Sequence, residues 1–416
     1  MFVEELKCLK CGKKYAPTKG LYTCKKCNGK LDILYDYDGI AEKINKKELE
    51  KRSPGVWKYS EFLPIADQKN IVTLGEGGTP LLEAKILARE LGMKQLWLKD
   101  ETRNPTSSFK DRPMSVGVSK AIEFGAKALV TASSGNAAIA LAAYSAKAGV
   151  ECHAFVPEEV PPAKLAQLSI HGAHVVKAKP KGTGDPTYRL MRMAYERYGW
   201  HPVPSCGAFN PYHPEGSKTM SYEVCEQLGW QAPDWVVVPT GAGTLLSGNA
   251  KGYFEFKELG FIDEAPRLAS IQAEGCAPLV KAFKEGTLPY EIPTWKNPKT
   301  IAGGLVDPYP WDADTAIPAI KKSKGTAEVV LDEEILAAEK LLARAEGIFA
   351  EPSGAAGLAG LKKLLDIGAV DRSDVVVVEI TGGGLKDQKT AMQLVKEPPT
   401  IEPELEQLKK LIKIRS

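Results

Sequence analysis

The stretch WVVVPTGAGTLLSG, residues 235–248, decides the fold class of this chain. It predicts a short strand of β-branched residues, a glycine-rich loop and the start of a helix. A strand that is apolar throughout is buried on both faces, which is typical of a parallel sheet covered by helices. The stretch therefore predicts an α/β fold.

The same alternation continues on both sides of this stretch. Further strand-like runs are LWLK, ALVTA, CHAFV, HVVKA and VVVVEI, which begin at Leu96, Ala128, Cys152, His174 and Val375. Helix-length segments separate them, and the alternation covers about residues 70–395, too long for one compact sheet. We therefore expect two open, twisted, mostly parallel-sheet domains with a cleft between them.

The expected organisation has four parts. The limits that we predict are a zinc ribbon at residues 1–36, a large cofactor-binding α/β domain at residues 37–110 and 206–396, a small α/β domain with the substrate-carboxylate loop at residues 111–205, and a C-terminal tail or helix at residues 397–416. Residues 292–314 are rich in Pro, Gly and Trp, which is typical of an ordered loop over the cleft or of a connector. In the last part, one face of an amphipathic helix would carry Leu405, Leu408, Leu411 and Ile412.

Composition and charge limit the classes of partner. Hydrophobic residues make up 44% of the chain and charged residues 26%, with a formal net charge of +3, so no general attraction to nucleic acid is expected. No run approaches the roughly 18 apolar residues of a membrane span. The N-terminus also lacks an apolar core followed by a small-residue cleavage site. We expect a cytoplasmic protein with a small-molecule substrate and no membrane or nucleic-acid partner.

Four of the eight cysteines lie close together at the N-terminus. Cys8-x-x-Cys11 and Cys24-x-x-Cys27 are separated by twelve residues. Two such pairs bring four thiolates to the corners of a tetrahedron, the closed geometry of structural zinc. Two disulfides or unpaired thiols are the alternatives. Because a closed site leaves no open coordination position, we expect the metal to fold the ribbon and its removal to have little effect on chemistry elsewhere.

A lysine in a second motif is suited to covalent chemistry. The segment Asn104-Pro-Thr-Ser-Ser-Phe-Lys110-Asp-Arg112 places Lys110 after a polar turn, at the start of a helical pattern. The positive end of a helix and a partly desolvated cleft both favour the neutral amine that a Schiff base requires. A solvated lysine without a catalytic role is the alternative.

Three loops that follow predicted strands are suited to anions or polar ring atoms. Ser133-Ser-Gly-Asn136 opens a helix, where backbone N–H groups can bind a carboxylate or where a side chain simply caps the helix. Thr240-Gly-Ala-Gly-Thr244 lets the backbone approach a phosphate, although it fits no nucleotide-binding pattern and a tight turn is the alternative. Thr381-Gly-Gly-Gly384 follows VVVVEI. Together they predict one phosphate-bearing cofactor and an anionic substrate.

These motifs resemble the tryptophan synthase β-like family of fold type II pyridoxal-phosphate enzymes, and within it the threonine synthases. GEGGTPL, residues 75–81, resembles GEGNTPL of that group, residues 104–112 resemble NPTGSFKDR, and residues 133–136 resemble SSGN or STGN. The N-terminal ribbon resembles one found in many archaeal and bacterial members.

The resemblance implies specific roles. Lys110 would be the catalytic residue and form the Schiff base with pyridoxal 5'-phosphate. Asn136 would bond the cofactor's phenolic oxygen, and Thr381 would face its pyridine nitrogen. The cofactor phosphate would be held by Gly241, Ala242, Gly243, Thr244 and Leu245. The substrate would be held by Ser133, Ser134, Gly135, Ala137, Lys164 and His213.

The chain departs from the family where substrate is chosen. The usual Asn-x-x-Asn-Pro-x-Arg-x-Glu-Gly reads here as GAFNPYHPEG, residues 207–216, so that an Asn has become Gly207 and an Arg has become His213. A histidine is charged only in part near neutral pH, whereas arginine binds phosphate through two donors at once. We therefore expect weak substrate affinity that improves as the pH falls.

The resemblance implies a carbon–oxygen lyase of threonine biosynthesis that converts O-phosphohomoserine and water to threonine and phosphate, acting as a homodimer. The alternatives are a threonine or serine dehydratase, or a β-replacement enzyme on phosphoserine such as cysteate synthase. A non-catalytic regulator, whose ribbon binds a protein or nucleic acid, is a third interpretation. The retained Lys110, Asn136 and glycine loops argue against it.

Overall fold

The computed structural model describes residues 2–160, 162–180 and 184–411. The strands of these ranges are β1 Val3–Cys8, β2 Lys14–Tyr15, β3 Leu31–Tyr35, β4 Leu81–Glu83, β5 Gln95–Asp100, β6 Ala128–Ala132, β7 Glu151–Pro157, β8 His174–Ala178, β9 His201–Pro202, β10 Trp235–Pro239, β11 Arg267–Ala273, β12 Thr326–Val330 and β13 Val375–Ile380. The α-helices are α1 Tyr37–Lys43, α2 Lys46–Glu50, α3 Lys85–Leu91, α4 Asp111–Glu123, α5 Asn136–Ala148, α6 Pro162–Ile170, α7 Pro186–Tyr198, α8 Thr219–Gln227, α9 Thr244–Glu258, α10 Pro278–Glu285, α11 Ala313–Lys322, α12 Asp332–Glu346, α13 Pro352–Asp366, α14 Gln388–Ala391 and α15 Leu405–Leu411.

Two sheets form the body of the protein. The larger sheet has the strand order β12-β11-β10-β13-β5-β4, and all its neighbouring strands are parallel except β4, which runs antiparallel to β5. The smaller sheet has the order β8-β7-β6-β9 and is parallel throughout. The predicted α/β class with two mostly parallel sheets is therefore confirmed.

The core of the larger sheet lies where the sequence is most apolar. All of β10 is buried, and β13 beside it is buried from Val376 onward. Helix α13 packs on the same sheet at very short range, since a Cβ on Gly360 would lie 2.4 Å from the side chain of Ile271 in β11. Such close packing of a helix on a sheet requires glycine at that position.

The smaller sheet is covered by helices of its own part of the chain. Its strands lie between residues 128 and 202, inside the region predicted for the small domain. Helices α4 and α5 contribute Met114, Val118 and Leu141 to one apolar cluster with Leu129 of β6. The limits of the domains stay predictions.

The N-terminal residues form a three-stranded antiparallel ribbon with the order β2-β1-β3. Its apolar side chains do not form a separate core. Leu6, Leu31 and Ile33 are buried in the same cluster as Leu246 and Ala250 of α9. The ribbon is therefore packed on the helix that follows the glycine loop of the larger sheet.

The C-terminal region contains a helix, α15, which is one of the two alternatives that the sequence leaves open. Helix α15 exposes Leu405 (72%), Leu408 (38%) and Leu411 (48%), so these side chains do not pack on the described body. Ile412, the fourth residue of the predicted face, lies outside the described residues. None of the described helices has the length and apolar character needed to span a membrane.

Candidate active site

Lys110 lies at the N-terminus of α4, as the sequence predicts, where it is the N-cap residue. Its loop is joined to the loop that follows β13. The backbone N–H of Phe109 donates to the carbonyl of Thr381 (3.0 Å), and the N–H of Gly383 donates to the carbonyl of Ser107 (2.9 Å). Two of the motifs from distant parts of the chain are thus held side by side at the carboxyl end of β13.

The amine of Lys110 is poised as a nucleophile. Its Nζ donates to the carbonyl oxygen of Ser205 at 3.1 Å and lies 4.8 Å from the centre of the Phe109 ring. Burial lowers the pKa of Lys110 because it disfavours the ammonium form, while the nearby Cys206, Asp312 and other acidic groups oppose this effect. A neutral amine in a buried cleft can attack an aldehyde.

The Ser133–Asn136 loop joins β6 to α5, and its glycine is the N-cap of that helix. No side chain caps the helix, so the alternative in which Ser133, Ser134 or Asn136 only satisfies the helix end is wrong. The hydroxyl of Ser133 instead accepts from the N–H of Gly135 at 3.2 Å. Ala137, in the first turn, is buried. The loop presents hydroxyls and a helix N-terminus, a combination suited to a carboxylate.

The glycine loop joins β10 to α9 and resembles a cradle for a phosphate. Gly243 adopts φ 102° as N-cap, a left-handed conformation that glycine favours. Within the described part of the chain, the backbone N–H groups of Gly241, Ala242 and Gly243 donate to no protein acceptor. Helix-terminal donors without partners form an anion site, so the loop, followed by Thr244 and Leu245, fits a phosphate group.

Asn136 contacts two residues that the sequence motifs did not indicate. Its side-chain amide donates to Glu351 Oε1 at 2.6 Å, and its carbonyl oxygen accepts from Lys386 Nζ at 2.9 Å. Burial raises the pKa of Glu351 and lowers the pKa of Lys386, since each charged form is disfavoured. A Cβ on Gly382 would lie 2.3 Å from Glu351 Oε1, so the loop after Thr381 closes against the same carboxyl group.

One local signal could have indicated Glu351, because the sequence EPSG places an acidic residue before a proline at the start of a helix. Glu351 is indeed the N-cap residue of α13. No comparable signal marks Lys386, which lies in a turn of 3-10 helix after the glycine loop.

The structure also brings Lys164 to the cleft. Lys164 lies in α6, and its Nζ is 3.8 Å from the position that a Cβ would take on Gly303. The carbonyl of the next residue, Gly304, is 3.4 Å from the position of a Cβ on Gly241 in the phosphate loop. The Gly303–Leu305 turn thus lies between the Lys164 amine and the phosphate loop, as expected of an ordered loop over the cleft.

His213 differs from expectation. It is only 1% exposed and packs on α4, where a Cβ on Gly117 would lie 2.8 Å from His213 Cβ. Among the described residues, neither ring nitrogen has a hydrogen-bond partner. Burial lowers the pKa of His213 to about 3, so the prediction that it is partly charged near neutral pH is wrong. That His213 contacts the substrate stays a prediction, and the contact would be made by a neutral imidazole.

The four N-terminal cysteines meet at one end of the ribbon. Their Sγ atoms all lie within 4.8 Å of one another, with 3.5 Å between Cys8 and Cys27 and 3.6 Å between Cys11 and Cys24. Thiolates bonded to zinc at about 2.3 Å would be about 3.8 Å apart. The arrangement fits a zinc ion, and none of these cysteines forms a disulfide.

Comparisons with known proteins agree with this geometry. The family model of pyridoxal-phosphate dependent enzymes matches residues 72–382. Threonine synthase from Methanocaldococcus jannaschii is 45% identical over 98% of this chain and 99% of its own. Threonine synthase from Methanosarcina acetivorans is 42% identical over 98% of both chains.

Solved structures share the fold of the body. Maize serine racemase is 25% identical, with a TM-score of 0.64 over 76% of this chain and 90% of its own. A threonine deaminase is 26% identical, with a TM-score of 0.60 over 77% of this chain and 94% of its own. The resemblance that the motifs carry is therefore confirmed over almost the whole chain. The chain belongs to the family of pyridoxal-phosphate dependent enzymes and, within it, to the threonine synthases.

Proposed function

We propose that this chain converts O-phosphohomoserine and water to threonine and phosphate. The observation that carries the proposal is the meeting, around one cleft, of the Lys110 amine, two helix N-termini with free donors, and the Lys164 ammonium. The two N-termini can bind two different anions, and the lysines add a nucleophile and a cation. The 45% identity to a threonine synthase supports this reaction over others of the family.

Residues of this chain would hold pyridoxal phosphate from three sides. The free N–H groups of Gly241 to Gly243, with Thr244 and Leu245, would bind its phosphate. Asn136 would donate to the phenolic oxygen and Thr381 would face the ring nitrogen. A hydroxyl at that nitrogen leaves it largely unprotonated, since no carboxylate is there to stabilise the charge. When bound, the cofactor supplies an electron sink for the carbanion that forms at the substrate's Cα.

Lys110 has two tasks. With the cofactor bound, the Lys110 amine would hold it covalently, and the same side chain as a free amine would take the proton from the substrate's Cα. The lowered pKa of Lys110 favours both tasks because each requires the neutral amine. A further proton must leave Cβ before the γ-phosphate departs. Cγ must then gain a proton to become the methyl group of threonine, water adds its hydroxyl at Cβ, and Cα regains a proton.

The substrate needs two anion sites at once. Its carboxylate would bind at Ser133, Ser134, Gly135 and Ala137, and its phosphate would face Lys164. Orientation by both ends holds the reacting carbons against Lys110. Lys164 and the neutral His213 should bind a dianionic phosphate less tightly than the bidentate arginine that the family usually carries at position 213.

Several further assignments belong to the same proposal. The cysteine cluster would bind one structural zinc ion, and its geometry supports that assignment. The large domain would comprise residues 37–110 and 206–396, and the small domain residues 111–205. A cytoplasmic location and a homodimer are also proposed.

The deciding experiment compares reactions side by side. Phosphate and threonine release from O-phosphohomoserine is measured next to keto-acid release from threonine and serine and turnover of phosphoserine. The expected result is equimolar phosphate and threonine, absent in Lys110→Ala. Turnover of threonine, serine or phosphoserine without any from phosphohomoserine would transfer the assignment to the dehydratase or β-replacement alternative.

A further inference from the structure

We propose that Lys30, contributed by the ribbon, is a positioning residue for the phosphate cradle: it neutralises Asp312 so that the cradle accepts a dianionic phosphate. The inference rests on the proposed role of residues 241–245 in holding the cofactor phosphate. It assigns the ribbon a part in cofactor binding beyond folding its own residues.

Lys30 reaches from the end of the ribbon into the body. Its Nζ lies 2.5 Å from Asp312 Oδ1, 2.9 Å from Thr315 Oγ1 and 3.4 Å from Asp314 Oδ1. The Lys30 side chain is 11% exposed and that of Asp312 is fully buried. This is therefore a buried ion pair between two parts of the chain, and such pairs keep their strength in salt better than exposed ones.

Asp312 in turn holds the cradle. Its two carboxylate oxygens accept from the N–H of Gly207 at 3.1 and 3.0 Å, and one of them accepts from the Thr244 hydroxyl. Its own N–H donates to the carbonyl of Ala242 at 2.9 Å. A single aspartate thus connects the loop around Gly207 with the loop of the cradle, and Lys30 is its counter-ion.

The charge of this aspartate makes the counter-ion necessary. Burial alone would raise the pKa of Asp312, but the ammonium of Lys30 and the hydrogen bonds to the carboxylate hold that pKa below its usual value. Asp312 is therefore ionised beside a loop that must receive two negative charges. Without Lys30, its charge would repel the phosphate.

The ribbon is fixed against the helix that the cradle begins. From α9, Lys251 Nζ donates to Asp32 Oδ1 (2.9 Å) and to the carbonyl of Ile33 (2.7 Å). The hydroxyl of Tyr37 donates to Glu255 of the same helix at 2.8 Å. These contacts fix β3, which Lys30 immediately precedes, and the start of α1 to the middle of α9.

Glycine at position 207 makes room for the pair. A Cβ there would lie 3.0 Å from Lys30 Cε and 2.9 Å from Asp312 Oδ1. Lys30 and Asp312 thus occupy space next to the position where the family motif usually carries an asparagine. If the inference holds, loss of the ribbon metal would affect the chemistry at Lys110, contrary to the expectation from the sequence, because a disordered ribbon would withdraw Lys30 from Asp312.

The experiment measures binding to the full-length protein without its cofactor. Dissociation constants are determined by fluorescence titration for pyridoxal 5'-phosphate and for pyridoxal, which lacks the phosphate. Lys30→Met should weaken binding of pyridoxal phosphate by about tenfold or more, while pyridoxal binding changes by less than about twofold. Lys7→Met, at an exposed lysine of the same ribbon, is the matched control and should leave both constants unchanged.

Two further variants separate charge from folding. Lys30→Arg keeps the cation and should retain most of the affinity for pyridoxal phosphate. The double variant Lys30→Met/Asp312→Asn removes both charges and should bind pyridoxal phosphate more tightly than Lys30→Met alone. A purely structural role would predict further loss in the double variant, and equal loss for both ligands.

Each outcome either supports or overturns the inference. Wild-type affinity in Lys30→Met, equal loss for both ligands, or a double variant no tighter than the single one would overturn the inference alone. A wild-type protein that binds pyridoxal but gains nothing from the phosphate would overturn the proposed cradle and this inference with it.

Discussion

The titration of His213 can be tested directly. A charged and a neutral His213 would contribute very different free energies to binding of the substrate phosphate. If His213 carried a full charge about 5 Å from the substrate phosphate, its contribution would be about 3 kcal/mol per unit charge at an effective dielectric constant of about 20. That corresponds to about a hundredfold in kcat/KM. With its pKa lowered to about 3 by burial and by the nearby Lys110, only about one molecule in a thousand is protonated at pH 6.

The assay is kcat/KM for phosphate release from O-phosphohomoserine, measured from about pH 8 to about pH 6 in the wild type and in His213→Gln. This constant reports groups of the free enzyme. The substrate phosphate itself titrates near a pKa of about 6, but that effect is common to both proteins and cancels in their ratio. We expect the ratio to stay constant within about twofold, since a neutral side chain replaces a neutral side chain.

A ratio that rises about tenfold toward pH 6 would refute the reasoning, because it would require a protonated His213 in the free enzyme. The other charged groups that face this imidazole are Asp312, which opposes the lowering of its pKa, and Lys30, which contributes to it. A neutral substitution of either one would therefore move the pKa of His213 in a known direction. Burial of His213 predicts that the ratio of kcat/KM between the wild type and His213→Gln does not change with pH.

Further predictions concern the cofactor, the substrate and the metal. Lys110→Ala should lose the visible absorbance of the covalently bound cofactor while its circular dichroism stays native. Lys164→Ala should raise KM for phosphohomoserine about tenfold or more, and by more than His213→Ala does, whereas Lys177→Ala, at an exposed site in β8, should not. Metal analysis should find about one zinc ion per chain, absent when the four ribbon cysteines are serine; zinc retained by that variant would disprove the site. Gly207→Asn should weaken pyridoxal phosphate binding in a titration, because its side chain would displace Lys30.

Sequence reasoning succeeded where the relevant pattern is contiguous. The run at residues 235–248 contains a strand, a glycine turn and a helix start in order, and the structure has β10, that turn and α9. Lys110 was predicted at the start of a helix for the same reason, and it is the N-cap of α4. Such features follow from backbone hydrogen bonding within a few residues.

Sequence reasoning could not find contacts between distant segments. Asn136 bonds Glu351 and Lys386, which are 215 and 250 residues further along the chain. The burial of His213 also depends on a distant glycine in α4, so its neutral state is not visible in the local sequence. In each case the position of the partner is set by the packing of whole helices and loops on the sheets.

The acidic groups of the cleft bear on the choice of substrate. Three carboxyl groups lie near the proposed anion sites, and each is either paired with a cation or buried so that its ionised form is disfavoured. Asp312 is paired with Lys30, burial raises the pKa of Asp307 well above its usual value, and burial also raises that of Glu351.

The free backbone donors of two helix N-termini and the side chain of Lys164 favour the binding of anions in the cleft. Serine or threonine would bring one carboxylate and an ammonium that balances it, leaving Lys164 without an anion. Phosphohomoserine adds a dianionic phosphate, so its charge matches the number and position of the available cations and donors. The electrostatics of the site therefore favour a phosphorylated amino acid over the dehydratase substrates, independently of the identity to threonine synthases.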